Sequence, residues 1–537
     1  MKQVKKIIPH FILGSCMSLL VILNVLYLEH WLDSDMAAEM IFSRLLAREG
    51  HVFATPSWYY STEFRFLYTH LVMGPLFHIL DNWHAIRMIT NIVSYLLLLI
   101  SYFYFMKPLS LDRKRVILAG TVLLLPFSET MMLHMQMGNT YMYHVIIVFF
   151  CFGMFLRLQK GSGIRGIRRW SILLLYMVLC VICGVSGVRY LLALQCPLVL
   201  AAVIYLVRAE DFQDFRRKPS RNGWKAAATS KAAGYVYYSI LGLACSVVGY
   251  GINVLWVGNQ YVFQKYDNTN FIPVYEGGVI WNRLQDCIGS ILMLFGYIPD
   301  KSVISLRGVV TMAAFVLVGL LVYVTVRVCK NSRGNQHFVV VFLLSAFVLN
   351  TFVFLFTAST LVPRYYITVL IFALPAFVIY FEEEKTAFRF DKAVVGMMLA
   401  GCLCLSTAKV VFSLVSTDKN ENKRQVTAFL LTEGLDFGFA TYWNGNIITE
   451  LSDGMIEMAN VGDPEYLDYF TWSSPRCYYE EGYHQGEVFL LLTREEAVEF
   501  SQTEVLQRGE LIYEDNAYMV YLYGSVEELK GYAARRE

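Results

Sequence analysis

Charged residues are scarce in this sequence. Of its 537 residues only 16% are Asp, Glu, Lys or Arg, whereas 56% are hydrophobic, and the mean hydropathy is +0.47. A soluble enzyme of ordinary composition and a disordered chain both need many more polar side chains, so the composition excludes both classes. The formal net charge of +2 also excludes a generally basic nucleic-acid-binding protein.

Cysteine pairs with a recognisable spacing are lacking as well. The chain has 11 cysteines, but most of them lie inside apolar runs, where cysteine behaves as a small hydrophobic residue. No pair has the spacing of zinc ligands near histidines, and Cys477 has no partner nearby in the sequence. Neither a disulfide framework nor a zinc site is therefore predicted.

What the sequence does contain is a series of apolar runs. They are about 20 residues long, the length that an α-helix needs to cross about 30 Å of hydrocarbon. We therefore predict an all-α polytopic membrane protein with about eleven transmembrane helices. Those helices cover residues 8–28, 87–106, 116–134, 141–158, 170–186, 190–207, 235–257, 309–328, 338–358, 365–381 and 393–415. Two shorter apolar segments, 64–80 and 284–298, are predicted as helices on the outer membrane surface.

Basic residues in the connections predict which side each connection faces. The first six residues carry three lysines, and no small-residue cleavage site follows the first apolar run, so the N-terminus is predicted to be cytoplasmic. Four further basic connections alternate with connections that lack this bias, as eleven spans require; they are 107–115, 157–169, 208–231 and 327–333.

This topology divides the chain into a membrane domain and a soluble tail. Residues 1–415 form the predicted transmembrane domain, in which residues 29–86 are the first extracytoplasmic loop, hereafter loop one. Residues 416–537 are acidic and contain short strand-like and helical pieces, so they are predicted to form a small extracytoplasmic α/β domain.

Two carboxylates stand at the start of loop one, in the sequence Asp33-Ser34-Asp35. Carboxylates at this spacing can hold a divalent cation, or one can raise the pKa of the other and so produce a general base. The alternative is that Asp33 or Ser34 only caps the following amphipathic helix. The pattern alone leaves the choice open.

An Arg-Tyr pair occurs twice at the predicted outer end of a span, as Arg189-Tyr190 and Arg364-Tyr365. The arginine guanidinium suits phosphate oxygens, and lipid phosphates lie at this depth. Arginine and tyrosine are also ordinary interfacial anchors. Other polar or aromatic residues on the same face are candidates for substrate contacts: Tyr60, Glu63, Glu129, His134 and Asn139.

This order of features resembles the GT-C superfamily of membrane glycosyltransferases, and within it the bacterial protein-mannosyltransferase-like and aminoarabinose-transferase-like group. The resemblance rests on the architecture of the whole chain, on Asp33-Ser34-Asp35 and, more loosely, on Arg364-Tyr365. It implies transfer of a sugar from a polyprenyl-phosphate donor, at the outer face of the cell membrane, to a glycan, lipid or protein acceptor. By the same resemblance Asp35 is the general base, Asp33 its partner or a metal ligand, and Arg364 and Arg189 bind the donor phosphate with Tyr365 beside them.

A transporter or flippase for lipid-linked glycans is the alternative function. Such a protein is expected to show internal repeats and polar or charged residues along its spans. The sequence has no clear internal repeat, and only Glu129 and Lys409 are charged residues well inside predicted spans. The enzyme is therefore the preferred hypothesis.

Overall fold

The computed structural model describes residues 4–159, 163–217, 221–264, 270–274, 276–383 and 385–534. Within these residues nine helices are long and apolar enough to cross a membrane. They are Ile7–Tyr27, Trp83–Leu109, Gly166–Val185, Leu191–Arg208, Lys231–Gln260, Arg307–Asn331, Gly334–Phe356, Pro363–Glu382 and Asp391–Glu433. The last of these consists of the apolar helix Asp391–Ser416 and, after a break, the helix Glu421–Glu433, which belongs to the acidic tail. Each of the nine coincides with one of the predicted spans, which confirms the polytopic helical fold.

The predicted span 116–134 is wrong as a single helix. A helix begins at Arg113 and ends at Val122, because Pro126 lacks the N–H that a continuing helix would need. A new turn starts at Ser128, whose hydroxyl accepts a hydrogen bond from the Met131 N–H at 3.1 Å. The helical segment Glu129–Met137 then meets the helix Met142–Leu158 at an angle of 75°.

Several shorter helices complete the membrane part and loop one. The helix His70–Leu76 lies within the predicted surface segment 64–80, and the helix Val279–Leu294 overlaps the predicted surface segment 284–298 but begins before it. Loop one begins with the 3-10 turn Glu29–Trp31 and the helix Ser34–Glu49. The helices Glu210–Arg217 and Arg221–Ala228 lie in the third of the four basic connections.

The acidic tail forms an α/β unit, as predicted. Its five-stranded sheet consists of β3 Phe437–Thr441, β4 Glu457–Val461, β6 Val488–Thr493, β7 Glu510–Glu514 and β8 Tyr518–Tyr523. The strand order is β4-β3-β6-β8-β7, with parallel pairs β3–β4 and β3–β6 and antiparallel pairs β6–β8 and β7–β8. The helices are Glu421–Glu433, Tyr442–Leu451, Arg494–Glu499, Glu504–Arg508 and Val526–Tyr532. Strand β6 is almost continuously apolar because helices cover both faces of the sheet.

A second, three-stranded sheet joins the α/β unit to loop one. Its strands are β1 Trp58–Tyr60, β2 Val262–Phe263 and β5 Ser474–Pro475, in the order β2-β1-β5. Strand β1 pairs in parallel with β2 and antiparallel with β5. Three distant parts of the chain therefore meet above one end of the helix bundle.

A buried ion pair also joins these parts. The Arg87 guanidinium donates to both carboxylate oxygens of Glu450 at 2.6 Å, and to the Met36 carbonyl at 2.9 Å. Arg87 is only 1% exposed. Loop one and the α/β unit thus lie on the same side of the bundle. The number of membrane crossings between them must therefore be even, a condition that nine and eleven spans in total both meet.

The basic connections gather at the opposite end of the bundle. The 24-residue helix Trp83–Met106 begins beside Glu450 and runs to that end, over about 36 Å. Residues of all four predicted basic connections line one cavity of about 1480 Å³ there, among them Lys107, Arg157, Lys231 and Arg333. This clustering agrees with the prediction that the four connections share one face. The cytoplasmic location of that face remains a prediction from the distribution of charge.

Candidate active site

A cavity of about 320 Å³ lies where loop one, the helix ends and the α/β unit meet. It has three walls. Loop one contributes Asp35, Glu39, Tyr60, Glu63 and Arg65; the bundle contributes Tyr141, Arg189, Arg364 and Tyr365; the α/β unit contributes Tyr442, Trp443, Phe470, Trp472 and Ser473. Six of the ten residues singled out in the sequence are in these walls, and they come from four separate segments of the chain.

The two aspartates have different surroundings. The Asp33 carboxylate accepts a hydrogen bond from the Met36 N–H at 2.9 Å, so it is the N-cap of the helix Ser34–Glu49. Burial, followed by the charge of Asp35, raises the pKa of Asp33 to about 6. Asp35 lies one residue inside the helix and faces the cavity, where its Oδ1 accepts a hydrogen bond from the Tyr442 hydroxyl at 2.8 Å. Asp35 is thus the carboxylate of this pair that a substrate can reach.

Arg364 lies directly across from Asp35. Its guanidinium Nη1 is 3.7 Å from Asp35 Oδ2, and the two side chains are 32% and 24% exposed. Arg364 is held in the 3-10 turn Pro363–Tyr366, where the proline at the first position favours the turn and starts the next helix. A cation and a carboxylate that both reach the cavity are therefore in contact within it.

Arg189 is oriented by three neighbours. Its guanidinium donates to the Glu63 carboxylate, and it lies over the rings of Tyr141 and Tyr365, 4.8 and 5.5 Å from their centroids. Glu63 is also 3.9 Å from His144 Nε2. Cation–π contacts of this kind restrain a guanidinium without neutralising it. Glu63 and Tyr365 therefore position Arg189 at the edge of the cavity.

A third acid–base pair lies deeper in loop one. Glu39 accepts hydrogen bonds from Arg65 and, at 3.2 Å, from the Thr69 hydroxyl. Burial raises the pKa of Glu39, and the charge of Arg65 opposes that effect. Glu39 is 9% exposed, so this pair supports the cavity floor.

Four predicted residues lie outside the cavity walls. Asp33 is the helix cap described above. Glu129 pairs with Lys409 at 2.9 Å, and His134 Nδ1 lies 2.7 Å from the Thr140 hydroxyl. Asn139 is buried at the bend between two helical segments, with a φ of 58°, and donates to Asn91 at 2.6 Å. Sequence distance could not show that the break after Met137 turns Asn139 into the bundle.

A divalent cation does not fit the two aspartates as they stand. Asp33 is engaged by a backbone N–H, and Asp35 by a hydroxyl and a guanidinium. Among the described residues there is also no group of three or more His, Cys, Asp or Glu side chains that could hold a metal ion.

Sequence reasoning missed the aromatic wall from the α/β unit. Tyr442 and Trp443 follow the carboxyl end of strand β3, and Phe470 and Trp472 precede strand β5. The only feature of the sequence that could have indicated this wall was the density of aromatic residues. Tyr442 is separated from Asp35 by 407 positions, so only the tertiary fold could show that they touch.

The chain shares its overall fold with a solved structure. The chain is similar to ArnT from Cupriavidus metallidurans bound to undecaprenyl phosphate, with a TM-score of 0.54 and 10% identity over 98% of this chain and 99% of that one. An Archaeoglobus fulgidus oligosaccharyltransferase tethered with an acceptor peptide has a TM-score of 0.48 and 10% identity, over 91% of this chain and 70% of that one. No family model matches the chain, and no curated protein matches it. At 10% identity the likeness concerns the fold.

Proposed function

We propose that this protein is a membrane glycosyltransferase, which moves a sugar from a polyprenyl-phosphate donor to an acceptor hydroxyl. One observation carries the proposal. A carboxylate, Asp35, and two arginines, Arg364 and Arg189, reach the same cavity at the ends of membrane helices, in a chain with the fold of ArnT. A lipid-linked donor is supported by that ArnT structure, which is bound to undecaprenyl phosphate.

The cavity supplies the groups that this reaction needs. The acceptor oxygen bonds to the anomeric carbon of the donor sugar, and its proton passes to Asp35. The bond between that carbon and the phosphate oxygen breaks, and its electron pair stays on the phosphate. Arg364 and Arg189 stabilise the negative charge that develops there, a type of contribution worth several kcal/mol in a site from which water is excluded.

The contact between Arg364 and Asp35 limits the distance between donor and acceptor. Because the guanidinium is 3.7 Å from the carboxylate, a phosphate bound by Arg364 lies within one side-chain length of the base. Reacting atoms must be about 3–3.5 Å apart for efficient transfer, so this proximity favours the proposed assignment.

The outer face of the cell membrane is the proposed location. The basic connections cluster at the end of the bundle opposite the cavity, and the positive-inside rule makes that end cytoplasmic. Nucleotide sugars are cytoplasmic, so an enzyme that faces outward needs a sugar delivered on a lipid. The site at the helix ends lies at the depth of the lipid phosphate.

Loss of the gene tests this function. Cells that lack the protein should accumulate one polyprenyl-phosphate sugar and lose one glycan modification outside the cytoplasm, and the wild-type gene should reverse both. The purified protein in liposomes, supplied with that donor and with the unmodified acceptor, should release polyprenyl phosphate. If the lipid-linked sugar only crosses the bilayer, with its phosphate bond intact, the protein is a flippase and the proposal is wrong.

A further inference from the structure

The cavity wall formed by the α/β unit carries no charge. It consists of Tyr442, Trp443, Phe470, Trp472 and Ser473, hereafter the aromatic shelf. All charged residues that line the cavity, the three acids and the three arginines, belong to the other two walls. The cavity therefore has a charged side toward the membrane and an uncharged aromatic side away from it.

The shelf leaves large apolar rings exposed beside the base. Trp443 is 61% exposed and Phe470 is 38% exposed. The Tyr442 ring lies between them, with centroids 5.2 Å from Trp443 and 5.6 Å from Phe470, and the Phe470 and Trp472 rings are nearly parallel. The Tyr442 hydroxyl donates to Asp35 at 2.8 Å, so the shelf begins at the catalytic carboxylate.

The main chain holds the shelf at both of its ends. Strand β5 pairs with β1 of loop one, and the Arg476 N–H donates to the Ser57 carbonyl at 2.8 Å. On the other side, the Phe470 N–H donates to the Asn460 carbonyl at 2.9 Å. Ser473 adopts a φ of 47°, a strained conformation for a residue other than glycine. The exposed rings are therefore preformed and not the result of a loose loop.

We infer that the aromatic shelf binds a sugar ring of an uncharged carbohydrate acceptor and presents one of its hydroxyls to Asp35. This inference rests on the proposed function and adds the class of acceptor. The apolar C–H face of a sugar ring matches a rigid aromatic surface, and a few polar groups then fix its orientation. A phosphorylated or acidic acceptor would need a cation, and the shelf has none. The arginines on the opposite side are left to the donor phosphate.

Binding of free oligosaccharides by the full-length protein in detergent tests the inference without any donor. The probes are neutral glucan, mannan and galactan fragments, with oligogalacturonate as the acidic counterpart and a hydroxyl-rich peptide as the protein counterpart. Trp443→Ala and Trp472→Ala are compared with Trp281→Ala, since Trp281 has the same 61% exposure as Trp443 but lies outside the cavity walls. We expect wild-type protein to bind one neutral class, and each shelf variant to bind it about tenfold more weakly. Trp281→Ala should bind like the wild type.

Transfer kinetics separate this inference from the proposed function. The shelf variants should raise the KM for the acceptor and leave the KM for the donor unchanged. Transfer with an unchanged acceptor KM in both variants would refute acceptor binding by the aromatic shelf, while the proposed glycosyltransferase activity would stand. Binding of neutral oligosaccharide without transfer from any polyprenyl-phosphate sugar would refute the proposed glycosyltransferase activity, while carbohydrate binding by the aromatic shelf would stand. A preference for oligogalacturonate or for the peptide would also refute the inference.

Discussion

Replacement of Asp35 by asparagine tests the proposed chemistry most directly. Asparagine has the same shape, and its carbonyl oxygen can still accept the Tyr442 hydrogen bond, but it cannot take a proton from the acceptor. The lost contact with Arg364 joins two side chains that are 24% and 32% exposed, and such pairs contribute about 0–1 kcal/mol. Folding should therefore be almost unaffected. Loss of a general base should lower kcat about 100- to 10,000-fold.

Asp33→Asn is the matched control, because it makes the same chemical change two residues away. Asparagine is as good an N-cap as aspartate, so the bond from the Met36 N–H should persist. We expect this variant to keep its kcat within about threefold of the wild type. Both variants are assayed in liposomes by release of polyprenyl phosphate, with thermal unfolding as the measure of folding. Full activity in Asp35→Asn, or equal losses in both variants, would refute Asp35 as the base.

Asp33→Asn should also change how the stability of the folded protein depends on pH. The pKa of Asp33 rises from its ordinary value near 3.8 to about 6, so between these values the folded protein binds more protons than the unfolded chain. This group therefore makes stability fall as the pH rises through that window. Asp33→Asn should raise Tm above about pH 6 and leave it unchanged below about pH 4. A Tm difference that does not vary with pH would contradict the burial of a charged carboxylate at this position.

Three further predictions concern donor binding, folding and topology. Arg364→Ala should raise the donor KM about tenfold or more, and Arg364→Lys should recover part of the loss, because lysine keeps the charge but not the planar fork. Glu450→Gln should destabilise the fold by about 3–5 kcal/mol, since it leaves the buried Arg87 charge unpaired, and a second change, Arg87→Met, should restore much of the Tm. Glu465→Cys should introduce a thiol that reacts with an impermeant reagent in intact cells, whereas the thiol introduced by Lys114→Cys should react only after the membrane is opened.

Each of these outcomes has a clear opposite. An unchanged donor KM in Arg364→Ala would remove that residue from the phosphate site. Additive destabilisation by Glu450→Gln and Arg87→Met would show that the two residues do not interact. Reaction of the Lys114 cysteine in intact cells would invert the proposed sidedness.

Local patterns predicted most of the membrane part. A run of about 20 apolar residues has one stable arrangement in hydrocarbon, an α-helix with all its backbone hydrogen bonds satisfied internally. The runs therefore predicted nine helices at the correct positions. The prediction of a single span over residues 116–134 was wrong because it followed the mean apolar character of the segment and ignored Pro126, which ends the helix.

The candidate site was predictable only in part. Asp35 and Arg364 were identified from their residue types and their predicted face, and the structure brings them into contact. The pairing of Glu63 with Arg189 was not foreseen, because it depends on how loop one folds back onto the bundle. Sequence spacing also could not distinguish the capping role of Asp33 from the exposed position of Asp35, since the two roles differ only in side-chain direction at a helix start.

The sequence by itself determined the class of fold and which charged connections share a face. Hydrophobic length and loop charge are local properties, and each segment inserts into the bilayer according to its own length and flanking charge. The tertiary structure alone decided what surrounds Asp35. Tyr442 of the aromatic shelf contacts Asp35 in loop one, and Glu450 contacts Arg87 at the end of that loop, each from more than 350 residues away. Contacts over such distances depend on the packing of the whole chain, and no local pattern in the sequence encodes them.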